Sequence, residues 1–336
     1  MLTTPLEQHH SRQGLALAPY RGSLTLAGGP EALVFEPWPQ EQLLLYDASW
    51  RAVSAVTGPD ARKWLNGMIS ANVRDLPPGQ FTPSFQLDPK GHVLATLEIA
   101  CTGPDAFLLL SDEEQRAGLE QRLRGFIFIS KLQMEDRSQA WSSLRLRGPR
   151  AAEVAAQAGW CATALTAGAV RSLPEAGWTL ASAAGGIPQL ECVAPVADVV
   201  ALWHRLEGQA TVAGSGAQEQ DRIVSRQPLY GVDITAAELP QETGQLDRLS
   251  FTKGCYIGQE IVERIRARGA VHRHWGAFRL DAPVAAGDAI EHDGRDVGAL
   301  TSVAAERGQW LGLGYAREVE TGQEVRVAGV RGERIA

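Results

Sequence analysis

The chain has 336 residues, 44% of them hydrophobic and 21% charged, which is enough to bury two or three cores and unlike a disordered composition. Its formal net charge of −7 gives the wrong sign for a protein whose whole surface binds nucleic acid or anionic membrane, although it leaves room for a local basic patch. Met1 to Tyr20 has no basic start followed by an apolar run, and no stretch approaches the roughly 18 uncharged apolar residues of a membrane span, so a soluble, cytoplasmic protein is expected.

Arg51 to Thr57 alternates like a strand and runs into Gly58-Pro59-Asp60-Ala61, where proline at a first helical position starts a helix through Met68. Phe81 to Leu87 and His92 to Cys101 read as strands joined by the turn Asp88-Pro89-Lys90-Gly91, and Phe107 to Leu110 as a third. Glu113 to Phe126 carries Leu119, Leu123 and Phe126 at helical spacing. A second unit opens with the same device: the strand Ser143 to Arg147 leads into Gly148-Pro149-Arg150-Ala151 and an alanine-rich helix to Ala158. Strands at Trp178 to Ser182 and Gln189 to Ala194 and a helix from Val196 to Leu206 complete it.

The glycine-rich stretch Ala213 to Gly216 is expected to be a flexible joint. From Trp275 onward the pattern changes to short β-prone runs, Trp275 to Leu280, Val297 to Val303, Trp310 to Tyr315 and Glu324 to Val330, which suggests a small all-β barrel or sandwich.

The cysteines Cys101, Cys161, Cys192 and Cys255 lie far apart without C-x-x-C pairing, so neither a disulfide framework nor a local zinc or iron–sulfur site is expected, and no metal ligands are assigned. Ser250 or Thr252 can cap a helix whose buried stripe would be Ile257, Ile261 and Ile265, with Val262 alongside, and Cys255 would then sit in its first turn. There the helix dipole and Lys253 would favour the thiolate, although packing remains an equally good reading of the residues alone. Arg264, Arg266, Arg268, His272, Arg273 and His274 form a basic cluster that either attracts an anionic ligand or is a solvated helix end.

Lys253-Gly-Cys-Tyr-Ile-Gly-Gln-Glu260 matches the K-G-C-[YF]-x-G-Q-E signature of YgfZ-type folate-binding proteins, relatives of the glycine-cleavage aminomethyltransferase. Leu239 to Glu242 resembles the family's P-Q-E element, Pro228 to Asp233 its G-x-D approach, and Arg264 to Gly269 its arginine-rich continuation. The resemblance covers most of the chain from about Trp50 onward.

This resemblance implies an α+β fold of two related ferredoxin-like subdomains and a C-terminal β-barrel around a central opening. The implied division is residues 1–140 with 210–268, residues 141–209, and residues 269–336. It implies a tetrahydrofolate-type ligand held by Lys253, Tyr256, Gln259, Glu260, Arg264, Arg222, Tyr230 and Gln241, with Cys255 as the catalytic or reactive residue. It also implies a monomer with an accessory role toward iron–sulfur enzymes, including those that modify tRNA, without direct nucleic-acid contact.

Two departures from the relatives bear on activity. Where aminomethyltransferases carry carboxylates near the reacting nitrogen of folate this chain has Ala95 and Thr96, so aminomethyl transfer is not expected. Arg222-Ile-Val-Ser-Arg226 aligns with R-x-E-x-G, which replaces a pterin-holding glutamate by Val224 and weakens the case for folate. The alternatives are a folate-dependent aminomethyl- or methyltransferase and a non-enzymatic interaction module that has lost its ligand.

Overall fold

Alternation of apolar residues along the strands, broken by Gly-Pro junctions, sets the architecture. The computed structural model describes residues 5–28, 33–35, 37–161, 165–173, 177–269 and 271–336, with the side chains of Pro5 and Arg268 excepted. Helix α1 (Pro5–Arg12) and the hairpin of β1 (Leu17–Tyr20) and β2 (Ser23–Leu26) come first, followed by β3 (Leu44–Asp47). The first unit then runs β4 (Arg51–Thr57), α2 (Ala61–Met68), β5 (Gln80–Leu87), β6 (Val93–Gly103), β7 (Ala106–Asp112), α3 (Glu113–Arg124) and β8 (Gln133–Asp136). The second runs β9 (Trp141–Arg147), α4 (Ala151–Gln157), β10 (Val170–Ser172), β11 (Trp178–Ala184), β12 (Ile187–Pro195), α5 (Val196–Leu206), β13 (Thr211–Ala213) and α6 (Ser215–Val224).

The two sheets have corresponding orders, β5-β6-β7-β4-β8 and β10-β11-β12-β9-β3-β13. Both Gly-Pro junctions do the same work. Gly58 (φ +126°) and Gly148 (φ +146°) turn strand into helix where an added Cβ would collide with the backbone of Lys131 or Gln42 on the neighbouring segment. The units differ at one edge. Beside β4 lies β8, which follows α3, whereas beside β9 lies β3, which precedes both units and pairs in parallel with β13. The second sheet therefore draws on residues 44–47 and 211–213 as well as on 141–209.

Helices α2 and α3 cover one face of the first sheet around Leu65, Phe107, Leu119 and Leu123, and α4 and α5 cover the second around Leu146, Trp160 and Trp203. Val53, Leu108, Leu110, Leu180 and Val193 pack between the two inner faces. The result is four layers, helices outside and sheets inside, and each fully buried large apolar side chain contributes about 1.5–3 kcal/mol.

After α6 an irregular segment leads to α7 (Gln259–Arg268) and then to β14 (His274–Leu280), β15 (Ala289–His292), β16 (Arg295–Glu306), β17 (Gln309–Ala316), β18 (Glu324–Val327) and β19 (Val330–Arg334). These six strands close into a barrel in the order β14-β17-β16-β15-β18-β19. The α+β fold with its terminal barrel is the one the sequence led us to expect.

Four local expectations are corrected. Glu324 to Val330 is not one strand, because Ala328 and Gly329 both take positive φ (49° and 80°) and make the two-residue reversal between β18 and β19. The stretch Ala213 to Gly216 is not a flexible joint. It is the β13–α6 junction, where Gly214 lies so close to the backbone of residues 26–28 that a side chain would clash. Phe126 falls beyond the end of α3 and is half exposed. Helix α7 begins at Gln259, so Cys255 precedes it, and of the expected stripe only Val262 is buried while the three isoleucines are partly exposed.

Candidate functional site

Strands β9 and β12 point leucines and Cys192 at the helices, and their alternate residues Arg145, Arg147 and Glu191 at the other sheet. Strand β6 does likewise with Thr96 and Glu98. At one end of the sheet interface these polar faces line a cavity of about 270 Å3, closed by Tyr20 and Arg21 of the β1–β2 hairpin, by α6, and by Arg248.

Among the described residues, six arginines line it: Arg21, Arg51, Arg145, Arg147, Arg222 and Arg248. Opposite stand the carboxylates of Glu98, Asp112, Glu191 and Asp221, with Asp247 at the exposed rim. Arg51 bridges Glu191 (2.9 Å) and Glu98 (2.5 Å), Arg145 holds Glu191 (2.7 Å), and Arg147 holds Asp221 (2.7 Å). Trp50, 1% exposed, forms the platform beneath. The guanidiniums of Arg21, Arg145 and Arg51 lie 4.2, 4.9 and 5.5 Å from its ring, and its indole N–H donates to Gln218 Oε1 (3.1 Å).

Burial alone would raise the Glu98 carboxyl, but Arg51, supported by Arg248, outweighs it and brings it down to about 2. Glu191 is lowered in the same way, with burial opposed by Arg51 and Arg145. Asp221 goes the other way: burial raises it, and Arg147 and the Tyr46 hydroxyl (3.0 Å) only partly compensate. The cavity is thus closely charge-balanced. Among the described residues, Arg21 Nε and Arg248 Nε are buried without a hydrogen-bond partner.

The sequence-assigned residues divide between this cavity and a second place. Arg222 and Tyr230 line the cavity. Burial raises the Tyr230 phenol. Arg222, however, spends all five donors within the protein, on Glu219, Gln227, Asp233 and Ser302 of β16. It fastens α6 to the barrel and keeps no donor for a ligand. Val224 is not part of the lining. It is buried with Trp38, Leu44, Tyr46 and Leu313 where α6 meets β3 and the barrel, and Asp221 and Ser225 are the groups that α6 turns inward.

Lys253, Tyr256, Gln259, Glu260, Arg264 and Gln241 do not line the cavity. Lys253, 4% exposed, drives its ammonium into the backbone carbonyls of Asn66 and Ala71 (2.7 Å each) and Ile69. Burial lowers it to about 7, and the three acceptors are what hold a proton there. Its charge is therefore directed away from the thiol it was expected to activate. Tyr256 packs with Phe85, Leu87 and Val262 and carries the Lys253 ammonium 4.7 Å from its ring centre. Gln241 clips the Val262 carbonyl (2.9 Å), and Gly258 (φ +84°) passes so close to the Asp88 carbonyl that only glycine fits.

Cys255 itself is exposed, on a loop braced at both ends, and the other three cysteines are fully or partly buried, with burial raising the thiols of Cys161 and Cys192. The basic cluster is largely consumed internally. Arg264 pairs with Glu260 (2.8 Å), Arg266 with Glu263 (3.5 Å), and Arg273 with Glu238 and Glu242 (2.9 and 3.2 Å). His272 and His274 are exposed, and the side chain of Arg268 lies outside the described residues.

Sequence reasoning missed Trp50, Arg51, Glu98, Arg145, Glu191 and Arg248. The available signal was the strict Leu/Arg alternation of Ser143 to Arg147 and the lone glutamates in β6 and β12, which read as solvent-facing until the second sheet covers them.

The profile of the GCVT N-terminal domain family matches residues 39–252. Among curated proteins, the aminomethyltransferase of Herpetosiphon aurantiacus is 25% identical over 334 residues, covering 94% of this chain and 90% of that protein. The tRNA-modifying protein YgfZ of Sodalis glossinidius is 28% identical over 252 residues, covering 71% and 73%. Among solved structures, the glycine cleavage system aminomethyltransferase T from Bartonella henselae superposes with a TM-score of 0.90 at 21% identity, covering 100% of this chain and 97% of that one, which establishes a shared fold. The chain therefore belongs to the family built on the GCVT N-terminal domain, as a YgfZ-type member of the glycine-cleavage T-protein superfamily.

Proposed function

We propose that this protein binds a tetrahydrofolate-type ligand in the cavity between its sheets and serves as an accessory factor for iron–sulfur enzymes, including those that modify tRNA, with Cys255 as its reactive group. The observation that carries the ligand reading is the cluster of arginines around this cavity, Arg21, Arg51, Arg145, Arg147, Arg222 and Arg248, set beside Trp50. A folate supplies acceptors for such a site: a carbonyl on a stackable pterin and carboxylates on its glutamate tail. Position 224 cannot anchor a pterin, because its side chain packs with Trp38, Leu44 and Leu313 away from the cavity.

Aminomethyl transfer is disfavoured. It needs a carboxylate free to stabilise charge and move a proton at nitrogen. Thr96 faces the cavity as a neutral hydroxyl, and the inward carboxylates are committed to arginines. The saturated guanidinium of Arg222 favours a second reading, a non-enzymatic interaction module without ligand.

The exposed thiol on a rigid loop suits contact with another protein better than chemistry on a ligand in the cavity. Relatives named tRNA-modifying proteins support a role in tRNA modification. We extend this to iron–sulfur enzymes of that process as the partners and to a monomer acting in the cytoplasm. The test is rescue of a deletion strain, read as iron–sulfur-dependent tRNA modification. Wild type should restore it and Cys255→Ala, expressed at equal level, should not. Full rescue by Cys255→Ala would make the thiol dispensable and sink this reading.

A further inference from the structure

We infer that His9, His204 and Glu207 form a binding site for a single divalent transition-metal ion of the zinc class, joining the N-terminal helix to the end of α5. This rests on nothing in the folate reading and lies on the outer face of the second sheet, where α1 and α5 meet.

One ligand atom from each of the three side chains lies within 4.8 Å of the other two. His204 Nδ1 is 3.0 Å from Glu207 Oε1, and His9 Nε2 is 3.8 Å from Glu207 Oε2. Ligand bonds of about 2.1 Å at tetrahedral angles set donor atoms roughly 3.4 Å apart, so small side-chain adjustments would bring the set onto one ion. The second observation is an unmet group. Among the described residues, His9 Nε2 is buried without a hydrogen-bond partner, since 3.8 Å to a carboxylate is too long for one. The rings of His9 and His204 stand edge to face with centroids 4.6 Å apart, a spacing at which two imidazolium charges would repel and two neutral lone pairs can share a cation.

The surroundings are those of a supported site. Trp203 Nε1 donates to Glu207 Oε2 (3.0 Å) and fixes the carboxylate, as outer partners of metal ligands do. His10, edge to face with Trp203 at a centroid distance of 5.0 Å, approaches Asp47 (3.3 Å) and buttresses α1 behind His9. His204 is half exposed, which gives the ion an entry path and leaves a fourth position for water. Two imidazoles and one carboxylate select zinc, nickel or copper over magnesium and calcium, which take oxygen ligands. Because α1 contributes one ligand, α5 one, and the residue that caps α5 the third, the ion would staple the N-terminal helix to the second unit and stabilise the folded chain by mass action.

The experiment is a titration of the full chain, stripped with chelator, with Zn2+ alone, read by calorimetry and thermal unfolding. One equivalent should bind with a rise in Tm. His9→Ala and His204→Ala should each weaken binding at least tenfold and remove the rise, while Cys255→Ser should leave both unchanged. His204→Ala alters a half-exposed side chain, so the test stands even where His9→Ala fails to fold. Absence of stoichiometric binding, binding that survives His204→Ala undiminished, or binding lost in Cys255→Ser would each overturn the assignment.

Discussion

In the cavity, six guanidiniums face five carboxylates behind two sheets. In the segment from Lys253 to Glu260, a single thiol stands in solvent while the lysine and tyrosine beside it are sunk into the first unit. The first region has its chemistry inside and the second has it outside. The residues assigned to one site in sequence therefore fall in two places, Arg222 and Tyr230 at the cavity and the rest around the cysteine segment, and ligand affinity and thiol function should respond to different mutations.

The largest expected effect lies in the cavity. Arg51→Met leaves Glu98 and Glu191 facing each other without their shared cation, and removing one partner of a buried network costs about 3–5 kcal/mol. Urea denaturation should show that loss. A loss below about 1 kcal/mol would mean that water already screens the cavity as it does a surface pair.

Val224→Glu comes next. It recreates the relatives' carboxylate, but on the side of α6 packed against Trp38, Leu44 and Leu313, so a loss of about 3 kcal/mol without improved folate binding is expected. A stable variant with tighter binding would show instead that α6 can rotate position 224 into the cavity.

A pH effect of intermediate size follows from Glu98. Despite burial, Arg51 and Arg248 hold its carboxyl at about 2 in the folded chain, against the ordinary carboxyl value of 4.5 in the unfolded chain. As pH falls below 4.5 the unfolded chain takes up the proton first, so stability present above that value declines and is lost as pH falls through about 2. Glu98 is a quarter exposed to the cavity's water, so the effect is discounted accordingly. Glu98→Gln should flatten the acid limb of stability measured from pH 5 to 2.

The smallest effect on stability belongs to Cys255→Ala, within about 0.5 kcal/mol of wild type, because the exposed side chain supports nothing beneath it. Thermal unfolding checks this. A larger loss would return the thiol to a packing role and blur the contrast between the regions.

Much of the fold was legible from residues that act locally. Gly58 and Gly148 have no substitute at their dihedral angles, so the repeated Gly-Pro device survived in sequence as a visible pair and marked both units. Strand β3 was not legible. It is four residues long, and its pairing with β9 and β13 is decided by topology. The site was half legible for a similar reason. The Cys255 loop is encoded by contiguous residues, whereas the cavity assembles Trp50, Glu98, Arg145, Glu191 and Arg248 from five separate stretches of the chain. Alternation alone cannot distinguish a polar face turned to water from one turned to another sheet. Even in the contiguous loop, Lys253 misled, because its charge is aimed at carbonyls of residues 66–71.

Titration of tetrahydrofolate against wild type, Arg248→Met and Cys255→Ala, with and without a polyglutamate tail, tests the division most directly. The account predicts saturable binding to wild type, binding weakened tenfold or more by Arg248→Met, and no change with Cys255→Ala. Binding that disappears with the thiol and is indifferent to Arg248 would contradict it.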